Sequence, residues 1–285
     1  MSTTVESVRM LLNYAKLNEI HAYVQNEKNL MRLAQLVEER KPTGLKARDL
    51  HEVMHELGYG VEHYLETMHN WSSKYQATTR PWDAAAQDDK PHPAVRRYVD
   101  MGFGRGRVLE IGCGAGANAR HIASQGAKVV AIDVAKPVIE RNKARALKDG
   151  TDCLFLCSNA FELAATPGEF DAVLDCWCFH HIPVHLMVSY AERVAQLLKP
   201  GGQFLLLCHA PHSSPQLTLT YGLSGPLPKA IAYVVHSTSE SVLSRSEIRD
   251  VFSERFEIGP IELHQDTHIR HPGHYSFVVM LTKKG

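Results

Sequence analysis

Between Arg107 and Cys208 the chain repeats one pattern: a short apolar run, a turn, then a helical stretch. That repetition constrains the fold more than any other feature. The runs Arg107–Ile111, Lys128–Asp133, Cys153–Cys157, Asp171–Asp175 and Gln203–Cys208 are expected strands. Each is almost wholly apolar inside instead of alternating, as parallel strands covered on both faces should be. Helices are expected over Ala119–Ser124, Pro137–Lys148 and Val184–Leu198. Alternation of this kind predicts an α/β fold on a doubly wound, mostly parallel sheet. The end of the chain breaks the pattern. Phe256–Leu263 and Tyr275–Thr282 follow one another with no helix between them, which predicts an antiparallel hairpin closing the sheet.

Upstream, Val8, Leu11, Leu12 and Ala15, then Leu30, Leu33, Ala34 and Val37, recur at helical steps. Residues 1–70 therefore read as an α-helical N-terminal extension and 71–285 as the α/β domain. The extension suits a cap over the site or a homodimer contact. A helix-turn-helix reading of Thr43 to Met54 fails on charge, because Asp49, Glu52 and Glu56 follow Lys46 and Arg48 closely. Residues 213–239, rich in proline and glycine, are long for a connection and read as a lid-like insertion. The 31 Lys and Arg are balanced by 31 Asp and Glu, so the positive footprint of a nucleic-acid binder is missing. No apolar run reaches the roughly 18 residues of a membrane span, and Met1 to Leu12 lacks the character of a signal peptide. The six cysteines lie mostly in apolar stretches, where reduced, buried thiols are expected. These features point to a soluble, cytoplasmic protein.

The strongest local signal is Val108-Leu109-Glu110-Ile111-Gly112-Cys113-Gly114-Ala115-Gly116, a strand running through a glycine turn into a helix. Glycines there let a ligand approach the backbone, and the helix start offers free amides. Gly112-x-Gly114-x-x-Ala117 also satisfies the dinucleotide pattern, so the turn alone does not choose between cofactors. Glu110, just before it, is expected to place an anion at the pocket mouth, repelling a pyrophosphate and favouring a cationic ligand. Asp133 ends the second strand, where an acid accepts from ribose hydroxyls. Lys199-Pro200-Gly201-Gly202 reads as a sharp turn into the fifth strand.

Together with Ser158-Asn159-Ala160, and with Phe170 to Asp175 leading to Phe179-His180-His181-Ile182, these motifs resemble the class I S-adenosylmethionine-dependent methyltransferases. The likeness runs from about Trp71 to the C-terminus. More loosely, Trp71, Trp82-Asp83 and Val173-Leu174-Asp175-Cys176 resemble the thiopurine and thiol small-molecule branch. The resemblance implies a seven-stranded sheet and S-adenosyl-L-methionine as cofactor, with S-adenosyl-L-homocysteine as product. It implies that Glu110, Gly112, Cys113, Gly114 and Gly116 hold the methionine part, Asp133 the ribose, and Val134, Asn159 and Ala160 the adenine. Asp175 and the backbone near Cys176 would reach the amino group. Asn159 departs from the acid usual at the adenine position, and Trp177 is bulkier than the residue many relatives carry.

Such a site must chiefly align a small-molecule acceptor with the methyl carbon and exclude water; a base is needed only for a protonated acceptor. His180, His181, His209 and His212 lie after the fourth and fifth strands, where ligands of open α/β sheets bind, with Asp175 as an orienting acid. His180 and His181 also read as a helix cap or packed turn residues. Trp71, Tyr75, Trp82, Trp177 and Tyr221 are candidates for an aromatic acceptor chamber, or for pins that fasten a flap to the core. His264, His268, His271 and His274 fall at short steps, but no carboxylate or cysteine is placed to complete a metal set of the usual spacing; they read as exposed surface histidines or, with His209 and His212, as a metal site that positions the acceptor. The rival functions are a nicotinamide oxidoreductase, a non-catalytic cofactor-binding protein, and a methyltransferase acting on protein or RNA.

Overall fold

The computed structural model describes residues 90–182, 184–210, 243–266 and 275–285, and a few isolated positions before them. In chain order the elements are α1 (Pro93–Asp100), β1 (Arg107–Ile111), α2 (Ala117–Ser124), β2 (Lys128–Asp133), α3 (Lys136–Asp149) and β3 (Cys153–Cys157). There follow β4 (Phe170–Cys176), α4 (Met187–Leu197), β5 (Leu198–His209), α5 (Arg245–Phe252), β6 (Phe256–Gln265) and β7 (Tyr275–Lys283). The seven strands form one sheet in the order β3-β2-β1-β4-β5-β7-β6. β1 to β5 are mutually parallel, and β7 enters antiparallel between β5 and β6. The doubly wound sheet with a C-terminal hairpin is thus the fold the apolar runs predict.

Alternate residues of each strand feed two apolar layers. Leu109, Ile111, Val173 and Leu206 pack with Tyr190 and Val194 of α4 and with Ile248 and Phe252 of α5. Val108, Ala131, Leu174 and Leu207 pack on the other side with Val95 of α1, Ile122 of α2 and Ile139 of α3. Both faces of the central strands are covered, which is why those strands carry no alternating polar pattern. Ser244 starts α5 with a capping box: its hydroxyl accepts from Glu247 N–H while the Glu247 carboxylate accepts from Ser244 N–H.

Two local expectations are corrected. The helix expected from Val184 begins at Met187, after short 3₁₀ turns at Phe179–His181 and Val184–Leu186. Lys199 to Gly202 does not precede β5 but bulges within it: Phe170 pairs with Leu198 and Ala172 with Gln203, so four residues oppose one. Gly201 takes a left-handed φ of 72° there. A Cβ on Gly202 would lie 2.9 Å from Lys199 O.

Candidate active site

The parallel strands end along one edge, and the glycine turn lies there between β1 and α2. Gly112, Gly114 and Gly116 all have positive φ (69°, 48° and 73°). A Cβ on Gly112 would stand 2.5 Å from Cys178 Cβ, and one on Gly116 2.8 Å from the Phe155 ring, so both glycines are needed for close packing as well as for the turn. The turn is held from below: Asn142, fully buried on α3, donates to Gly114 O at 2.7 Å. Cys113 is buried, and burial pushes its thiol well up, so it stays a neutral, packed side chain.

The strands β1, β2 and β4 each bring a carboxylate to this edge. Asp133 accepts from Gly114 N–H and from Ala135 N–H, each at 2.9 Å, and so ties the end of β2 to the glycine turn. Desolvation raises its pKa. Glu110 corrects the expectation of an anion at the pocket mouth. It is 1 % exposed beneath the start of α2, Oε1 accepts from Asn118 Nδ2 at 3.1 Å, and Oε2 is buried with no hydrogen-bond partner. Desolvation pushes its pKa up to about 8, which makes it a largely neutral acid at pH 7. Asp175 is also fully buried, with a pKa raised to about 6 by desolvation. Oδ1 accepts from Cys178 N–H and Phe179 N–H, and Oδ2 from the Tyr190 hydroxyl. Those partners make it a clamp on the turn after β4 rather than an orienter of histidine.

Beyond β3, Asn159 Oδ1 accepts from Phe161 N–H and Glu162 N–H at 2.9 and 3.0 Å, and its Nδ2 donates to Glu162. Its side chain shapes that turn. Ala160 is buried behind it, its carbonyl accepting from Arg193 Nε at 3.1 Å, while Val134 stands half-buried past Asp133. Cys157, expected to be buried, is exposed at the end of the edge strand, where only one neighbouring strand covers it.

The acceptor side is built from side chains. Trp177 has φ 67°, left-handed and unusual for a bulky residue; such a conformation costs roughly 1–3 kcal/mol and persists only when neighbours enforce it. Its N–H donates to Leu207 O at 3.0 Å and its indole Nε1 donates to Ser276 Oγ at 2.8 Å. His209 lies nearly parallel to the indole, with centroids 6.3 Å apart. His180 and His209 are buried with ring centroids 3.8 Å apart, and His181 is 4.3 Å from His180. The sequence candidates Trp177, His180, His181 and His209 thus stand as neighbours in the fold. Cys176 and Cys178 flank Trp177, and burial pushes both thiols well up. His212, Trp71, Tyr75, Trp82 and Tyr221, the lid-like segment and the N-terminal extension lie outside the described residues.

Four contributors were missed: Asn118, His92, Asp266 and Ser276. Asn118 had a usable signal, being the second residue of the helix after the glycine turn. His92 had a weaker one, as the residue between Pro91 and Pro93. The carboxylate not expected near His264 is Asp266: His92, His264 and Asp266 offer ligand atoms all within 4.8 Å of one another.

This edge fits S-adenosylmethionine. Three of the five residues of its turn are glycines, and Gly116 gives α2 no side-chain cap, which leaves early amides for a carboxylate. The orphaned oxygen of the neutral Glu110 acid and the Asp133 carboxylate supply polar groups beside that turn. An α/β sheet ending in an antiparallel hairpin, with such a turn after β1, defines the class I methyltransferase fold. The comparisons agree. The family model described as a methyltransferase domain matches residues 108–202. A probable thiol methyltransferase of Arabidopsis thaliana is 32 % identical over 173 residues, 59 % of this chain and 70 % of that protein. A 2-heptyl-1-hydroxyquinolin-4(1H)-one methyltransferase of Mycobacteroides abscessus is 25 % identical over 186 residues, 65 % of this chain and 72 % of its own. Among solved structures, a Burkholderia thailandensis 1,6-didemethyltoxoflavin-N1-methyltransferase with bound S-adenosylhomocysteine superposes with a TM-score of 0.58 at 18 % identity, covering 78 % of this chain and 90 % of that one. The chain belongs to the class I S-adenosylmethionine-dependent methyltransferases, and S-adenosylmethionine is its cofactor. Among the described residues, no helix is long and apolar enough to cross a membrane.

Proposed function

We propose that this chain transfers the methyl group of S-adenosylmethionine to a nitrogen, sulfur or oxygen atom of a small organic acceptor in the cytoplasm. The observation that carries the reading is the convergence, at one sheet edge, of the glycine turn and Asp133 with the cluster of Trp177, His180 and His209. The curated relatives, by name, act on a thiol and on a hydroxyquinolone. Six free thiols without a disulfide suit a reducing compartment.

When bound, the cofactor supplies a methyl carbon on a cationic sulfur, with a good leaving group already in place. Glu110 and Gly112 to Gly116 hold its methionine part, Asp133 its ribose, and Val134, Asn159 and Ala160 its adenine. Because the Asn159 oxygen serves Phe161 and Glu162, its share of adenine recognition comes from backbone shaped by that turn. Asp175 acts indirectly, by setting the turn that presents Cys176 and Trp177. His180 or His209 takes the proton of an acceptor that arrives protonated, and the buried surroundings exclude water.

Calorimetric titration with S-adenosylhomocysteine and, separately, NADH tests the cofactor half. Micromolar binding of the first, at least tenfold weaker in Asp133→Ala, is expected. NADH binding alone would overturn the reading. Incubation with S-adenosylmethionine and thiophenol, 1-hydroxyquinolin-4-one or catechol, following S-adenosylhomocysteine release, then assigns the acceptor atom.

A further inference from the structure

We propose that Ser276, Asp266 and His92 are positioning residues that fix the indole of Trp177 as a wall of the acceptor side; the proposal rests on the methyltransferase reading of that edge. The four residues come from four places: the end of β4, the start of β7, the end of β6 and the start of α1. Trp177 Nε1 donates to Ser276 Oγ at 2.8 Å, and Ser276 donates in turn to Asp266 Oδ2 at 2.7 Å. The other Asp266 oxygen lies 3.2 Å from His92 Nε2. Ala94 N–H donates to His92 Nδ1 at 3.1 Å, so the ring carries its proton on Nε2, facing Asp266. Every proton in this run therefore has a fixed direction. Ser276, Asp266 and His92 are 0, 2 and 6 % exposed, so water does not compete for these bonds. The His92 ring also packs edge-on against Trp177, with centroids 5.1 Å apart and planes at 84°.

This set supplies what a left-handed tryptophan needs, a surround that holds it. It is joined to the cofactor side as well. His92 N–H donates to Asn118 Oδ1 at 2.8 Å, and Asn118 Nδ2 donates to Glu110 at 3.1 Å. The spacing of His92, His264 and Asp266 would suit a divalent cation, but a neutral imidazole binding metal through Nε2 needs its proton on Nδ1. The Ala94 hydrogen bond sets the opposite tautomer. The cluster is a hydrogen-bonded strap.

The test uses the full chain labelled with 5-fluorotryptophan, whose three tryptophans give three fluorine resonances, with Trp177→Phe identifying the relevant one. In Ser276→Ala the Trp177 resonance should move by more than its linewidth, with a smaller move in the isosteric Asp266→Asn. Ser276→Thr, which keeps a hydroxyl, should restore it. Calorimetric affinity for S-adenosylhomocysteine should stay within twofold. With whichever of thiophenol, 1-hydroxyquinolin-4-one or catechol is methylated, Ser276→Ala should raise the acceptor KM about tenfold and change kcat less than threefold. A Trp177 resonance unmoved in both Ser276→Ala and Asp266→Asn overturns the proposal, and so does an unchanged acceptor KM. Stoichiometric Zn²⁺ binding that is lost in His264→Ala overturns it in favour of a metal centre. Failure of the unsubstituted chain to bind S-adenosylhomocysteine would instead sink the methyltransferase reading and leave the fluorine result standing.

Discussion

The two edges of the sheet treat charge in opposite ways. At the amino edge, where β1, β4 and β5 begin, carboxylates meet cations in solvent: Lys199 pairs with Asp171 and Arg107 with Glu169. The Lys199 ammonium and the Arg107 amide hold the Asp171 carboxyl below its ordinary range. At the carboxyl edge Glu110, Asp133, Asp175 and Asp266 are all buried, and desolvation pushes the first three upward. Their partners are mostly backbone amides, hydroxyls and side-chain amides, with Asp266, which faces His92 and His264, as the exception. A fold built for stability alone would not collect buried acids, a left-handed tryptophan and an orphaned oxygen on one side. The carboxyl edge gives up stability to keep polar groups poised for ligands, while the amino edge is free to be ordinary.

The sharpest way to break that contrast is to fill the glycine turn. Gly112→Ala places a Cβ 2.5 Å from Cys178 Cβ at a left-handed backbone position. Overpacking and strained φ together should cost about 3–5 kcal/mol and abolish S-adenosylhomocysteine binding. Urea unfolding and calorimetry read both. A variant that folds and binds normally would mean that the turn is not the rigid cradle it looks.

Next in size is a pH effect. In the folded chain desolvation pushes the Glu110 carboxyl up to about 8, from an ordinary value of 4.5. The unfolded carboxyl releases its proton near that lower value, so rising pH favours unfolding across the interval and lowering it restores stability. Without ligand, the chain should lose on the order of 3 kcal/mol between pH 5 and 8 through this group, and Glu110→Gln should flatten that part of the curve. An identical pH profile in the variant would place the buried acid elsewhere.

How much of this was legible in the sequence follows the same divide. β1, β2 and β3 appear with the expected bounds, because wholly apolar runs closed by glycine or an acid admit few other readings. The glycine turn and the place of Asp133 were equally plain, since local backbone geometry fixes where they stand. The acceptor side was not. Trp177 and Ser276 are 99 positions apart and His92 and Asp266 are 174 apart, and nothing periodic announces such pairs. The neutral state of Glu110 also escaped, because it depends on what covers the carboxyl and not on its position in the motif.

Two aspartates of a single strand give the remaining pair of predictions. Asp175, at the buried end of β4, takes a hydrogen bond from the equally buried Tyr190 hydroxyl. Tyr190→Phe should cost about 2 kcal/mol, because it strips a donor from a carboxylate that water does not reach. At the other end of the strand, Lys199→Ala removes the partner of Asp171, but both side chains are more than a third exposed. Solvent screens that pair already, and Asp171 keeps its hydrogen bond from Arg107 N–H at 2.8 Å, so the loss should stay below about 0.5 kcal/mol. Measured side by side in urea, the two substitutions ask whether burial or charge pairing decides what an aspartate contributes here. A Lys199→Ala cost equal to that of Tyr190→Phe would mean that the amino edge also stores stability in specific charges, and the division between the edges would fail.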